Sequence, residues 1–409
     1  MLHASTSVSY AVLFKKPAIF LTPDKLKKSW IGPRIEIIAQ SVNGKLINIS
    51  NNINDELHND EFFKIDEKKY KNYLKQYLKT PKSPDLPLWE IINKYLKKNI
   101  TQKLMKYSLE KLKKNKIYQL LVKYKLIKSK NLSIFHYKTR DNNRLKSFID
   151  RSSNIIFLEK TKKKNYYENK KTKFKDEKYI KTSFGKLKDH PLHDTNRRIV
   201  QFKRFIKGKK IMDFGCGTGS FLYNSKFFFK KGVGIELDFN RIKHVGKKDN
   251  KIEFFRSLKK IHNFTEKFDT IFLFHVFEHL INPIETLSQL RLKLKKNGYL
   301  IIEVPHANDF LLKKLKVKSF INFTLWSEHL ILHTKQSLKC FLEKAGFNKN
   351  KIFFYQRYNL SNHIGWLICN KPGGHIFFNK MFTNKEISQY NNILIKNRST
   401  DNIYSISRL

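Results

Sequence analysis

The sequence predicts an α/β protein built on a doubly wound parallel sheet, and three observations carry that expectation. A buried strand-like run, Ile211-Met212-Asp213-Phe214, enters a tight turn with glycine at every second position, Gly215-Cys216-Gly217-Thr218-Gly219. A second apolar run, Gly232-Val233-Gly234-Ile235-Glu236-Leu237, reaches an acid about 20 residues beyond that turn. Strand-like and helical segments then alternate as far as Val304.

Each element has a local reason. Glycines in a strand-to-helix turn supply positive φ and remove Cβ, so the backbone can approach an extended ligand closely. Phe221 to Phe229 reads as the following helix, and Glu236 can accept two hydrogen bonds from the cis-diol of a nucleoside. Lys251 to Arg256 is a third strand, Phe268 to Phe274 a fourth, and Pro283 to Lys295 a helix. After the Asn297-Gly298 turn, Tyr299 to Val304 is a fifth strand. Ligands of such sheets bind outside the carboxyl ends of the strands, which gathers Asp213, Glu236, His275 and the segment after Val304 around one crevice. A helix follows from Gln336 to Ala345, ended by Gly346, and Asp401 to Ser407 adds a last strand.

Asp213, Gly215, Gly217 and Gly219 match the D-x-G-x-G-x-G pattern, and the chain here resembles class I S-adenosylmethionine-dependent methyltransferases. The dinucleotide fingerprint G-x-G-x-x-G is excluded because position 220 is Ser220. The resemblance implies a Rossmann-like fold with S-adenosyl-L-methionine as cofactor, held by Asp213, Gly215, Gly217, Gly219, Glu236, Leu237 and His275.

His275-Val276-Phe277-Glu278-His279-Leu280 resembles the H-V-x-E-H pattern of small-molecule and sugar methyltransferases. Trp326-Ser327-Glu328-His329-Leu330, with the helix after it, looks like sugar C-methyltransferases, which carry a cysteine-rich zinc module that this chain lacks. Arg357 to Leu367 and Lys371-Pro372-Gly373-Gly374-His375 resemble methyltransferases of surface-glycan synthesis. The expected acceptor is therefore a sugar or sugar-nucleotide of a surface polysaccharide, bound by Asn362, His363, Trp366 and His375. For the base, His329 stands first, with Glu328 orienting it and His275 as fallback; no metal is expected. Two alternatives stay open: an RNA or quinone-type aromatic acceptor, and a non-catalytic scaffold of glycan enzymes.

Organisation follows composition. Val8 to Phe14 and then Ala18 to Leu21 form a helix-then-strand step. With His3 to Thr22, Ile31-Gly32-Pro33 and Leu86 to Glu90, residues 1–97 resemble the C-terminal part of glycosyltransferase-like surface-carbohydrate biosynthesis proteins, and a remnant of such a domain is expected there. Residues 98–131 read as a helical basic linker, 132–197 as the lead-in or lid of the methyltransferase, and 198–409 as the methyltransferase domain itself. Lys160 to Lys175 reads as a solvated charged loop.

The chain has 409 residues and a formal net charge of +49, which invites a polyanion as partner. The excess is spread along the chain and carried by Lys rather than by fork-shaped Arg, so solvated surface lysine is favoured and no specific nucleic acid is expected. Three cysteines, Cys216, Cys340 and Cys369, without a C-x-x-C pair suggest neither disulfides nor a zinc knuckle. No run approaches the roughly 20 apolar residues of a membrane span, which leaves weak peripheral contact as the only membrane role. Nor does the N-terminus read as a signal peptide, so a cytoplasmic location is expected.

Overall fold

Strict alternation along the central strands dictates the architecture. On one face of the sheet lie Met212, Ile271, Leu273, Leu300 and Ile302, and on the other Ile211, Phe272, Phe274 and Ile301, all buried. Two buried faces require helices on both sides, and the computed structural model has them. It describes residues 4–50, 63–78, 110–161, 179–182, 185–188, 190–242, 249–261 and 266–409. The chain divides into two units, Met1–Ile100 and Thr101–Leu409.

In the first unit, the helix Ala4–Leu13 leads to β1 (Ile19–Thr22), and the helix Gly32–Val42 to β2 (Lys45–Asn48). β1 and β2 pair in parallel, Ile19 opposite Lys45, as the expected α/β step requires. Asn43 in the left-handed region ends the second helix. Val8, Val12, Val42, Tyr70 and Tyr73 form its small core. The motif Leu86 to Glu90 lies outside the described residues.

The second unit opens with a short helix, Lys116–Lys123, capped by Asn115, whose side chain accepts from the backbone of Ile117 and Tyr118. Leu112, Ile117 and Leu121 are fully buried in the same core as Met212 and Ile271, so this segment packs on its neighbours. β3 (Leu132–His136), β4 (Ser147–Asp150) and β5 (Ile156–Leu158) form antiparallel ladders, and a fourth strand, described below, completes that sheet. β6 (Tyr179–Thr182) and β7 (Gly185–Lys188) make a hairpin. Most of the lysine-rich loop lies outside the described residues. The helix His190–Gln201 then runs through the expected boundary at 197/198, so no domain edge falls there.

The main sheet comprises β8 (Lys210–Phe214), β9 (Lys231–Ile235), β10 (Ile252–Phe255), β11 (Phe268–Phe274), β12 (Leu294–Pro305), β14 (Lys349–Tyr355) and β15 (Asn402–Arg408). Their order is β10-β9-β8-β11-β12-β15-β14, all running in one direction except β15, which is antiparallel to both its neighbours, β12 and β14. This is the expected doubly wound sheet, and its order reverses between β8 and β11, where a ligand crevice forms. The last strand appears as expected, while the Asn297-Gly298 turn is absorbed into β12, with Asn297 at φ 67°. Helices Ser220–Ser225 and Pro283–Leu292 flank the sheet. The helix Lys335–Lys344 starts at a Thr334/Ser337 capping box and stops before Gly346, whose φ of 88° takes the chain out of the helix. β13 (Ile331–Leu332) pairs with β5, closing the four-stranded sheet.

Phe272 is fully buried and lies against Phe202, Phe221 and Phe274. Phe272→Ala should destabilise this unit by about 3–5 kcal/mol, the range for emptying a buried aromatic site. Urea unfolding followed by tryptophan fluorescence measures it.

Candidate functional site

Gly215, Gly217 and Gly219 all have positive φ, at 77°, 55° and 73°, so the loop between β8 and its helix needs glycine at each alternate position. At Gly215 a Cβ would lie 2.4 Å from the Val276 side chain, so that glycine serves packing. At Gly217 a Cβ would meet nothing closer than Arg241 Nη2 at 3.9 Å. The space in front of Gly217 is open, as a cradle for a ligand requires.

Glu236, at the end of β9, accepts from the Gly217 backbone N–H at 2.9 Å through Oε2 and from the Asp238 N–H at 3.0 Å through Oε1. Its carboxylate thus sets the loop, with acceptor capacity remaining on both oxygens. Burial raises its pKa. Asp213 is buried at the end of β8, and its carboxyl is pushed up to about 7, chiefly by burial and further by Glu236, against Arg198. Asp238 Oδ2 is buried with no hydrogen-bond partner. Leu237 is 40% exposed and offers an apolar surface beside these acids. Open space at Gly217, an orphaned carboxylate oxygen and two acids at adjacent strand ends fit a nucleoside-bearing cofactor.

Across the switch point, β11 ends in His275, which at φ 54° turns the chain and donates its N–H to the Glu303 carbonyl at 2.9 Å. His275 Nδ1 stands 3.3 Å from Glu278 Oε1, and Nε2 stands 3.3 Å from Glu303 Oε1 as an ion pair without hydrogen-bond alignment. Burial works against the imidazolium, yet the contacts with Glu278 and Glu303 outweigh it and raise its pKa.

Glu303, fully buried at the carboxyl end of β12, accepts from Arg197 through both oxygens at 2.8 and 2.9 Å and from Arg198 at 2.8 Å. Despite burial, Arg198, His275 and Arg197 hold its carboxyl well below the ordinary range. Asp194 on the same helix pairs with Arg357. No role for Arg197 and Arg198 follows from the sequence pattern; two adjacent Arg in a Lys-rich chain are the available signal.

His329 lies beside Glu278 and His279, the ring centroids of His279 and His329 being 5.0 Å apart. The two segments are tied by the Leu330 N–H donating to the Glu278 carbonyl at 2.9 Å. Burial, helped by His279, pushes the His329 pKa down to about 4, so its imidazole is a neutral nitrogen donor of low basicity. Glu328 is buried but is not among the three converging groups.

The expected acceptor residues lie elsewhere, on a helix, Leu360–Cys369, and a short one, Gly374–Phe377. Asn362 Oδ1 accepts from the Gly373 N–H at 3.2 Å and faces His375 Nδ1 at 3.4 Å. His363 sits between Gln356 Nε2 at 3.1 Å and the Tyr390 hydroxyl at 2.8 Å, with burial pushing its pKa down to about 4. Trp366 is 3% exposed and packs on Phe320 and Phe323. Asn362 and His363 are thus engaged within the fold, while Trp366 also lines a cavity.

Residues 189–351 match the family model of a methyltransferase domain. Over this region the chain is similar to the tRNA U34 carboxymethyltransferase of Colwellia psychrerythraea, 27% identical across 38% of this chain and 49% of the relative. The enzyme of the same name from Campylobacter fetus is 31% identical across 26% of this chain and 41% of its own length. The chain thus spans about half the length, or less, of these curated relatives. A solved S-adenosylmethionine-dependent methyltransferase from Archaeoglobus fulgidus is 21% identical, covering 53% of this chain and 94% of that one at a TM-score of 0.37. That likeness is loose, and the fold stands on the strand order above. The relatives' names overturn the expectation of a sugar or sugar-nucleotide acceptor and of no specific nucleic acid. Surface-glycan synthesis is accordingly withdrawn.

Glu236→Ala should weaken cofactor binding by about 1–3 kcal/mol in calorimetry, the scale of charge-assisted hydrogen bonds. Asp213 has a folded pKa above its unfolded value, so the stability it contributes is fully present below the unfolded pKa and is lost as pH rises through about 7. Asp213→Asn should therefore melt higher than the wild type at pH 8, by on the order of 1–3 kcal/mol, with the advantage vanishing toward pH 4. Loop, acids, strand order and family match together make residues 189–351 a methyltransferase domain of the class I type, with S-adenosylmethionine as its cofactor.

Proposed function

We propose that this protein is an S-adenosylmethionine-dependent transferase whose acceptor is an RNA nucleotide. The similarity to tRNA-modifying enzymes carries the reading. A cavity of about 320 Å³ supports it, lined by Lys138, Arg140, Asn143, Asn322, Phe323 and Trp366 among others. Cationic and aromatic groups in one hollow suit an unstacked nucleotide, with phosphate held by charge and base by stacking. The Arg140 guanidinium lies 5.0 Å from the ring centroids of both Phe323 and Trp326, and Trp326 in turn edges His329 at 5.7 Å. The cavity is thereby linked through one aromatic ring to the imidazole cluster at the crevice.

Bound there, the cofactor supplies an electrophilic one-carbon group on a sulfonium. The chain's own work is alignment, water exclusion and removal of one acceptor proton. Gly217 leaves room for the cofactor, Glu236 and Asp238 offer carboxylate oxygens to its hydroxyls, and Leu237 offers an apolar face. The Arg197–Glu303–His275 contacts keep the acceptor side rigid.

The full chain incubated with methyl-labelled S-adenosylmethionine and total small RNA should put label into RNA, and Arg140→Ala should cut that incorporation by roughly 10-fold or more at near-native stability, the scale of a base-stacking and charge contact. Label found in no RNA fraction, with the cofactor bound, sinks the RNA reading.

A further inference from the structure

We infer that Glu278, His279 and His329 form a binding site for a divalent transition-metal ion of the zinc type. One ligand atom from each of the three lies within 4.8 Å of the other two. Ligands of a tetrahedral ion about 2.1 Å away stand about 3.4 Å apart, so binding requires the three to draw together by little more than about 1 Å. Two imidazoles and one carboxylate are a donor set that such an ion takes, and three protein ligands leave the fourth position to water or an acceptor oxygen.

Two further observations concern the same residues. Glu278 is fully buried, and its Oε2 has no hydrogen-bond partner; His329 Nδ1 is likewise buried and unpartnered. A buried carboxylate oxygen and a buried imidazole nitrogen left without partners are costly unless a cation satisfies both. Glu278 Oε1 stands 3.8 Å from His279 Nε2 and 3.3 Å from His275 Nδ1, and the second contact is the outer support that orients a metal-binding carboxylate. Backbone geometry holds the set: Glu278 and His279 sit in one tight turn, Phe277–His279, and the Leu330-to-Glu278 hydrogen bond fixes the chain next to His329. Trp326 stands edge-on to both imidazoles, 6.2 Å from His279 and 5.7 Å from His329, as an apolar wall.

With an ion in place, His329 is a ligand and not a base, and an oxygen on the fourth position loses its proton more easily. The inference goes beyond the RNA reading, because the ion is bound whatever the acceptor is.

The test uses the full-length chain, stripped with chelator and titrated with zinc in the absence of RNA and cofactor. Equilibrium dialysis with elemental analysis should give one zinc per chain, with affinity reduced at least about 100-fold in Glu278→Gln and in His329→Ala. Cobalt replacing zinc should give the intense visible absorption of a four-coordinate site in the wild-type chain, which needs no variant to fold. Absence of stoichiometric zinc, a weak six-coordinate cobalt spectrum, or unchanged affinity in both variants would overturn the site. RNA labelling is read separately, so either proposal can fail without the other.

Discussion

The buried carboxylate of Glu303 is the constraint on which the crevice depends. It sits at the carboxyl end of β12, out of water, and draws in Arg197, Arg198 and His275. A carboxylate in that position is tolerable only because guanidinium groups satisfy it, and removing one side of such a pair typically costs about 3–5 kcal/mol. Both arginines come from the helix His190–Gln201, so a single side chain fastens that helix across the strand ends. Asp194 on the same helix, paired with Arg357, makes a second fastening to the region after β14.

Much of the cofactor half was legible in the residues because its logic is local. Glycine at alternate positions reports positive φ, an acid at a strand end reports a polar ligand, and apolar alternation reports a two-faced sheet. The acceptor half was not legible, for physical reasons. His329 meets Glu278 and His279 only because one backbone hydrogen bond draws distant segments together, and no spacing encodes that. Asn362, His363 and Trp366 lie in a segment that Asn359 caps as a helix, and residue type alone does not report which of them that helix buries.

Charge was misjudged in a related way. A lysine excess spread along the chain looks like solvated surface when counted in one dimension. Folding gathers two cations, Lys138 and Arg140, with Phe323 and Trp366 around one cavity. What matters to a polyanion is the grouping in space, and composition averages it away.

The sheet made by β3, β4 and β5 is completed by β13, a two-residue strand contributed from far along the chain. During synthesis the first three strands therefore leave the ribosome with one edge unpaired, and an open edge invites pairing with other chains. That edge is closed only after β8 to β12 of the main sheet have been made, so much of this unit must wait for contacts of long sequence separation. Maturation of this protein is thus tied to the emergence of one short segment late in translation, and a chaperone that shields β5 until then would act at the step where aggregation competes most directly with folding.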